Sequence, residues 1–430
     1  MLAAMKSRDY RLLFSGQAVS YLGDQFHLVA LPWLVLTLTH DPLQLGLVLA
    51  AAGVPRAALM LVGGAWADRF SPRTTMLVSD VLRALVTSAL VVAIASGHVQ
   101  LWMVYGLAIA FGIVSGFFMP AAEAAVPRLL RDSDLESGNS LIMGADQLAT
   151  FVGPALAGAM IAWLGGAGAH AAGAATASLT GIAIAFGVDA ASFLVSAVTL
   201  VFVRPLPGLA SRDKHPLHDV VEGLRFVAAD PMLRLLVGVI AMANLLVIGP
   251  MLVGVPVLAA TRFAQGAAAF GIIISAYGAG NLVGMIGAGA LPRVSDNVFG
   301  IVAAGVFFVF GVVYAALGFV NSMWLAAALM VVGGLGNGYV SILVMTGLQR
   351  VAPAHLMGRV MSLVMLAMVG LAPISQAGAG LLVKFSAPVM FSIAGVGMLI
   401  LGAVVLTLRH TWVFPEAETS APAGVVTAEA

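Results

Sequence analysis

The chain has 430 residues, of which 61% are hydrophobic and 9% are charged. A water-soluble domain carries about 25% charged residues, so the composition excludes a protein whose whole surface faces water. The absence of cysteine excludes disulfides, thiol catalysis and thiolate metal sites. The net charge of +1 argues neither for nor against an acidic partner, and we expect no nucleic-acid partner.

Continuous apolar runs of about 20 residues predict membrane-spanning helices, because the strands of a barrel would alternate apolar and polar residues. The predicted spans cover residues 12–38, 43–66, 74–96, 101–121, 139–164, 179–203, 235–260, 268–291, 298–319, 323–348, 360–383 and 387–408. The first run is too long for a signal-peptide core, so we expect it to be retained. The sequence therefore predicts an all-α membrane protein with twelve transmembrane helices.

The basic residues predict the orientation of these spans. Twelve spans place both termini on one side of the membrane, and most basic residues fall on that side. They are Lys6, Arg8, Arg11, Arg69, Arg73, Arg128, Arg131, Arg204, Arg212, Lys214, Arg225, Arg234, Arg293, Arg350, Arg359 and Arg409. The opposite side has only Arg262 and Lys384. Because basic residues are enriched in cytoplasmic loops, we expect both termini in the cytoplasm.

The longest polar connection, residues 204–234, divides the spans into six and six. Within it, Asp219–Val227 is predicted to form a short amphipathic helix on the membrane surface. We therefore predict an amino-terminal six-helix bundle over residues 1–203, a cytoplasmic linker, and a second six-helix bundle over residues 235–408. The polar tail, residues 409–430, is predicted to be disordered. Parallel-repeat transporters have two such halves.

A short charged turn lies between spans two and three, where residues 64–73 read GAWADRFSPR. Gly64 permits two helices to approach closely. The side chains of Asp68, Arg69 and Arg73 can bond to helix ends and to one another. This stretch resembles the loop between the second and third helices of major facilitator superfamily transporters.

Further stretches are similar to the bacterial exporter branch of that superfamily, which includes enterobactin and macrolide exporters. They are Phe14–Gln17, Gly23–Asp24, Ala30–Trp33, Pro55–Arg56, Asp80 with Arg83, Pro120–Ala121, Val126–Leu129, Gln349–Pro353 and Gly358–Val360. Two positions depart from the pattern. Ser71 replaces the usual glycine of the loop, and Thr74 stands where a second basic residue is common.

The resemblance implies two six-helix bundles around a central cavity, working by alternating access in a bacterial inner membrane. Sparse aromatics, many methionines and few fixed charges in the spans favour an amphipathic small molecule as substrate, and export of a drug, a macrolide or a siderophore fits. We expect a single chain to act as a monomer. Three alternatives stay open at this stage: an importer of a small nutrient, a lipid flippase, and a membrane receptor that transports nothing.

The energy source follows from motifs that the sequence lacks. It contains no Gly-x-x-x-x-Gly-Lys, no His-Glu-x-x-His and no Gly-x-Ser-x-Gly, so we expect no ATP site and no hydrolase site. We therefore expect a transporter rather than an enzyme, with neither cofactor nor metal. Uphill transport then requires an ion gradient, and the proton is the ion that we expect.

Ionisable residues inside spans are costly and mark functional sites. Gln17, Ser20, Asp24 and His27 lie on one stripe of the first span, which we expect to face a water-accessible cavity. Arg56 lies at mid-depth in the second span, where an unpaired arginine costs at least about 2.5 kcal/mol. We predict that Arg56 pairs with Asp24 or that each contacts the cavity. A fixed structural ion pair is the plainer alternative.

A gating role is predicted for charged and small residues near the cytoplasmic face. They are Gly64, Asp68, Arg69, Arg73, Asp80, Arg83, Asp146, Gly153, Pro154, Gly358 and Arg359. Asp80 and Arg83, at i and i+3, are expected to bond to each other and to Asp68; a local pair without a gating role is the alternative. In the family, the loop aspartate docks on the start of span eleven and holds the outward-open state.

Span five places Asp146 near its cytoplasmic start, and its Gly153-Pro154 step resembles a degraded form of an exporter motif, with simple helix packing as the alternative. Asp189 in span six is either a second protonation site or a structural carboxylate. The second half adds polar candidates, each of which is more often a contact between helices than a ligand contact. They are Asn244, Tyr277, Asn281, Asn337, Gln349 and Gln376.

A glycine stripe in span eight predicts close helix packing rather than a nucleotide-binding loop. It consists of Gly278, Gly280, Gly284 and Gly287.

Overall fold

The computed structural model describes residues 3–168, 174–206, 225, 228–291, 296–351 and 357–408. They form one short 3-10 turn, Ala4–Lys6, and fourteen α-helices. The helices are α1 Arg8–Thr39, α2 Pro42–Arg69, α3 Pro72–Ala95, α4 Leu101–Leu129, α5 Asp132–Gly168, α6 Ala174–Val201, α7 Pro231–Gly249, α8 Val255–Arg262, α9 Ala267–Ala290, α10 Asp296–Leu317, α11 Met323–Val351, α12 Met357–Val369, α13 Ala372–Phe385 and α14 Ala387–Thr407.

Helix starts follow local capping chemistry. The side chain of Ser71 accepts a hydrogen bond from the backbone of Thr74, and Pro72 occupies the first turn of α3. Asp230 accepts from two backbone amides at the start of α7, which again begins with a proline, Pro231. A polar cap followed by proline satisfies the free amides of a helix start and fixes its first φ angle.

Eleven segments within the described residues are long and apolar enough to cross a membrane. They correspond to predicted spans two to twelve. Helix α1 has 32 residues, which is more than the length required, but its polar stripe lowers its hydropathy. That α1 crosses the membrane, as the first of twelve spans, therefore stays a prediction.

Two predicted spans are irregular helices. The seventh consists of α7, a π-helical turn at Pro250–Gly254 and α8. The eleventh consists of α12 and α13, separated at Gly370-Leu371. The predicted surface helix, Asp219–Val227, lies outside the described residues except for Arg225.

Two helix boundaries differ from the sequence prediction. Helix α4 continues to Leu129, beyond the predicted end at residue 121. Helix α5 begins at Asp132, ahead of the predicted residue 139. We therefore correct the position of Asp146, which lies about 20 Å along α5 from its first residue and not near its start.

Helix packing within each half relies on glycine at the tightest contacts. In the amino-terminal half, α1 packs on α5 and α6, and Gly23 lies directly against Ser192 of α6. In the carboxyl-terminal half, α9 packs on α11 through Gly280 and Gly284, which contact the backbone around Leu335. The packing interpretation of the glycine stripe is confirmed at these two positions and at Gly278, which lies against Thr150 of α5. A Cβ atom at Gly287 would have nothing within 4 Å.

The two halves contact each other mainly along two pairs of helices. Helix α2 packs on α13, where Gly46 lies against Gly380 and Gly53 against Pro373. This interface ends in an ion pair at the end of the molecule that the charge pattern predicts to be extracellular.

Helix α5 packs on α9 in the second pair. Gly271 lies against the carbonyl of Pro154, and Gly278 lies against Thr150. These contacts join the halves from the predicted outer end to mid-depth.

Candidate functional site

The ionisable residues of the predicted span interiors all lie in the amino-terminal half. The six predicted spans of the carboxyl-terminal half contain no Asp, Glu, Lys, Arg or His. A charge within a membrane is costly and marks a functional site. We therefore expect the candidate site among the contacts of α1, α2, α3 and α6.

Arg83 of α3 lies at the centre of this group. Its guanidinium bonds to the carboxylate of Asp80, and it lies between the rings of Phe118 and Phe193, at 3.9 and 4.3 Å from their centroids. Ser196 of α6 donates a hydrogen bond of 2.7 Å to the other oxygen of Asp80. The expected bond between Asp80 and Arg83 is therefore present, within a buried contact between α3 and α6.

Asp24 of α1 has a different partner from the predicted one. Its carboxylate lies 4.0 Å from the guanidinium of Arg83, and its side chain is 37% exposed. Arg56 of α2 is exposed and acts on Asp24 electrostatically, more weakly than Arg83 does. We therefore correct the predicted partner of Asp24: among the described residues, its ion pair is with Arg83 and not with Arg56.

His27 and Asp189, which the sequence treated separately, lie in contact. Nδ1 of His27 is 2.9 Å from Oδ2 of Asp189, whose side chain is fully buried on α6. The imidazole stacks on Phe111 at 4.3 Å and meets the edge of Phe186 at 5.3 Å. The close approach of α1 and α6 at Gly23 brings these two side chains together.

The polar stripe of α1 does not face a cavity along its whole length. Gln17 and Ser20 are each 2% exposed, so the expectation that they line a wet space is corrected. The amide atoms of Gln17 have no hydrogen-bond partner among the residues described. Only the later part of the stripe, Asp24 and His27, is partly accessible.

Glu123 of α4 lies near the site, and the sequence did not indicate it. The carboxylates of Asp24, Glu123 and Asp146 all act electrostatically on the phenol of Tyr21. A contact between Gln25 and Thr150, at 3.5 Å, fixes the register of α1 on α5. Glu123 was placed beyond the end of span four because the apolar run stops at residue 121; the helix continues through it.

Of the predicted gating residues in the loop between α2 and α3, Arg73 is the one whose side chain lies in the described part. Arg73 donates hydrogen bonds of 2.8 Å to the carbonyls of Leu200 and Val201, so it caps the end of α6. The backbone places Gly64, Asp68 and Arg69 in the last turns of α2 and Gly358 and Arg359 at the start of α12. The side chains of residues 61–69 and 357–362 lie outside the described part, so the predicted docking of Asp68 stays a prediction.

Gly153 and Pro154 lie where α5 meets two other helices. Gly153 packs against the side chain of Gln25 on α1, and the carbonyl of Pro154 packs against Gly271 on α9. This step of α5 therefore contacts the amino-terminal half on one side and the carboxyl-terminal half on the other.

Asn281 joins the two halves at mid-depth. Its amide donates to Gln147 of α5 at 2.9 Å, and its oxygen accepts from Asn337 of α11 at 2.9 Å. Gln147 in turn donates to the neighbouring Asp146 at 3.4 Å. These bonds form a chain of amides that ends on a carboxylate.

The other polar candidates make local contacts. Asn244 donates to the carbonyl of Ile240 in its own helix. The backbone of Tyr277 packs against Gly334 on α11. The side chain of Gln376 on α13 is buried, and its backbone carbonyl lies against Gly46 of α2. The side chain of Gln349 lies outside the described part.

A groove of about 700 Å³ lies apart from the charged residues, between α3 and α6. Its lining includes Val91, Ile94, Ala183 and Val188, and Thr180 supplies a polar atom. None of the charged side chains described above lines it. The groove is therefore separate from the candidate site.

A profile of the Major Facilitator Superfamily matches residues 13–376. The chain belongs to the major facilitator superfamily. It is 28% identical over 351 residues to the multidrug efflux pump Tap of Mycolicibacterium fortuitum, an alignment that covers 79% of this chain and 80% of Tap. It is 25% identical over 423 residues to the enterobactin exporter EntS of Escherichia coli K12, with coverage of 93% and 92%.

The fold is also similar to a crystal structure of a bacterial homologue of the iron transporter ferroportin in an inward-facing state. The TM-score is 0.69 at 16% identity, and the alignment covers 94% of this chain and 98% of that one. Membership of the superfamily and the spanning helices together make this chain a multi-pass membrane transporter.

Proposed function

We propose that this major facilitator superfamily member exports an amphipathic small molecule from a bacterial cell in exchange for protons. Two relatives support export, because they carry the names multidrug efflux pump and enterobactin exporter. The proposal includes α1 as the first of twelve spans in two six-helix bundles of the inner membrane, with both termini in the cytoplasm and the chain acting as a monomer.

The position of Asp24 carries the proposal. It is a partly exposed carboxylate at mid-depth, within ion-pair distance of a buried arginine that has a second acidic partner, Asp80. A proton on Asp24 removes its attraction to Arg83, while Asp80 continues to compensate the guanidinium. Asp24 is therefore the carboxylate of this network that can change its charge without leaving a buried cation unpaired.

Charged residues adjoin both interfaces between the halves. Arg56 lies one turn beyond Gly53, which packs on Pro373 of α13. Asp146 neighbours Gln147, which bonds to Asn281 of α9. A change of charge at Asp24 acts on Arg56 through space, and we propose that this electrostatic change biases the two halves between inward-open and outward-open states.

The energy available fits this role. One proton crossing a potential of about 180 mV supplies about 4 kcal/mol, which corresponds to a solute gradient of roughly a thousandfold. A single proton per cycle is sufficient to drive export against such a gradient.

Inside-out vesicles with an acidic lumen test the proposal, using ethidium as the probe. The wild-type protein is expected to accumulate ethidium in the lumen as protons leave it, and Asp24→Asn is expected to abolish this accumulation. Asp132→Asn, at the exposed start of α5, is the matched control and should behave as wild type. Wild-type vesicles that accumulate no more ethidium than protein-free vesicles, or full accumulation by Asp24→Asn, would contradict the proposal.

A further inference from the structure

The contact between His27 and Asp189 has no part in the cycle described above. Oδ2 of Asp189 lies 2.9 Å from Nδ1 of His27. Its other oxygen, Oδ1, is buried and has no hydrogen-bond partner among the described residues. A fully buried carboxylate with one bonded oxygen is costly unless a positive charge or a proton compensates it.

The imidazole ring is placed to carry that charge. Its Nδ1 is engaged by Asp189, so Nε2 is the nitrogen left to take a proton from water. The His27 side chain is 16% exposed, so part of the ring is accessible. Its face stacks on Phe111 at 4.3 Å, an arrangement that is favourable for a cation.

The surrounding charges come from all the helices packed around this contact. They are Asp24 on α1, Arg56 on α2, Asp80 and Arg83 on α3, Glu123 on α4 and Asp146 on α5.

Among the charges that α1, α2, α3 and α6 bring to this group, the carboxylates outnumber the guanidinium groups by one. Three carboxylates, those of Asp24, Asp80 and Asp189, share two guanidinium groups, those of Arg56 and Arg83. This set is neutral only when it gains one positive charge, and a proton on His27 supplies it.

We propose that His27 and Asp189 form a second proton-binding site, which holds one proton and exchanges it with Asp24. A hydronium ion transfers its proton to Nε2, a new N–H bond forms and water is left, while the Nδ1–H group stays bonded to Asp189. The inference rests on the proposed proton coupling and adds the group that delivers the proton.

The exchange follows from the position of His27 one helical turn beyond Asp24. A cation on His27 stabilises the Asp24 carboxylate by Coulomb attraction. When His27 gives up its proton this attraction disappears, and Asp24 becomes the place where the proton is held. One proton therefore alternates between the two positions.

Counting protons tests the inference without any transport. Purified protein carrying Asp24→Asn, which removes the other position for the proton, is titrated from alkaline to mildly acidic solution. Proton uptake is compared among this background and the same background with His27→Gln, Asp189→Asn or both. Each single variant is expected to take up about one proton per chain fewer. The double variant is expected to show the same deficit and no more, because coupled groups titrate as a unit. Unchanged uptake in Asp189→Asn, or losses that add in the double variant, would overturn the inference.

His98→Gln combined with Asp189→Asn is the matched control pair. His98 is exposed at the end of α3, so its loss should add to that of Asp189. If Asp189→Asn does not fold, the inference is tested instead by a magnetic-resonance pH titration of isotope-labelled wild-type protein. The ring nitrogens of His27 and the carboxyl carbon of Asp189 should then change in one common step, and changes at separate pH values would refute the inference.

Measurements of ethidium accumulation distinguish a failure of this inference from a failure of the proposed function. Asp189→Asn should accumulate less ethidium and lose the pH dependence of the wild type; a purely structural pair would lower the unfolding temperature and leave the pH profile unchanged, which would refute the inference. Absence of ethidium accumulation by the wild type would refute the proposed export, while proton counting would still decide the role of His27 and Asp189.

Discussion

Arg83 is the residue on which the buried charges depend. Its guanidinium bonds to Asp80, lies between two aromatic rings and approaches Asp24. Removing one partner of a buried ion pair leaves the other charge uncompensated, which costs more than the pair contributes. The stability of the amino-terminal half should therefore respond to Arg83 in a way that depends on Asp80.

Arg83→Gln is expected to lower the free energy of unfolding by about 3–5 kcal/mol, because it leaves the Asp80 carboxylate buried and unpaired. Chemical unfolding in detergent measures the change. Adding Asp80→Asn should restore much of the loss, since the double variant contains no buried charge at this position. Equal destabilisation in the presence and absence of Asp80→Asn would show that the pair does not act as a unit.

At this scale the sequence predicted some contacts and not others. Asp80 and Arg83 stand three positions apart on one helix, so their bond follows from helical geometry alone. His27 and Asp189 are 162 positions apart, and no local pattern reveals their contact. The pairing of Asp24 with Arg56, one of the two predicted arrangements, was wrong because depth along a helix does not determine which neighbouring helix a side chain meets.

Glycines at the points of contact set the distances between helices. In α9, Gly271 lies against the carbonyl of Pro154 and Gly278 lies against Thr150, both on α5. A side chain at either position would push α9 away from α5 and disturb the contact between the halves. The sequence predicted close packing from the glycine stripe, but it did not indicate which glycines face another helix.

Gly271→Ala is expected to destabilise the protein by about 1–3 kcal/mol, because the added methyl group meets backbone atoms that cannot move aside. Ethidium accumulation should fall with it. Gly287→Ala in the same helix is the control: nothing lies within 4 Å of that position, so its effect should be neutral or stabilising by up to about 1 kcal/mol. Similar effects of the two variants would argue against a special role for this interface.

The helix boundaries show where sequence reading at this scale fails. Apolar runs located spans two to twelve. They placed the end of α4 and the start of α5 too close to the membrane centre. Helices continue past the last apolar residue, and the extra turns carry polar residues such as Glu123, which acts electrostatically on Tyr21. Hydrophobicity marks the part of a helix in contact with lipid, whereas hydrogen bonding determines its length.

On the scale of the whole molecule, an ion pair joins the two halves at the predicted outer end. Nζ of Lys384, at the end of α13, lies 3.2 Å from Oδ2 of Asp41, which precedes α2. Both side chains are partly exposed, so the pair contributes at most about 1 kcal/mol. An energy of this size is sufficient to change the balance between two conformations severalfold.

Lys384→Glu is expected to favour opening of the outer end, because it places two carboxylates face to face. The absence of cysteine from the chain makes the readout direct: Gln376→Cys, at a buried position on α13 beside Gly46 of α2, should react faster with a maleimide in the Lys384→Glu background. Adding Asp41→Lys should restore the slow rate by reversing the pair. A rate that is the same in all three backgrounds would show that this ion pair does not hold the halves together.

The central claim is that protonation in the amino-terminal half moves the two halves relative to each other. The direct test is a distance measurement between spin labels at His98→Cys and Ser322→Cys, one on each half at the predicted outer end. The account predicts two distance populations whose ratio changes with pH in this background and stays constant once Asp24→Asn is added. A single population at every pH, or the same pH response with Asp24→Asn present, would contradict it.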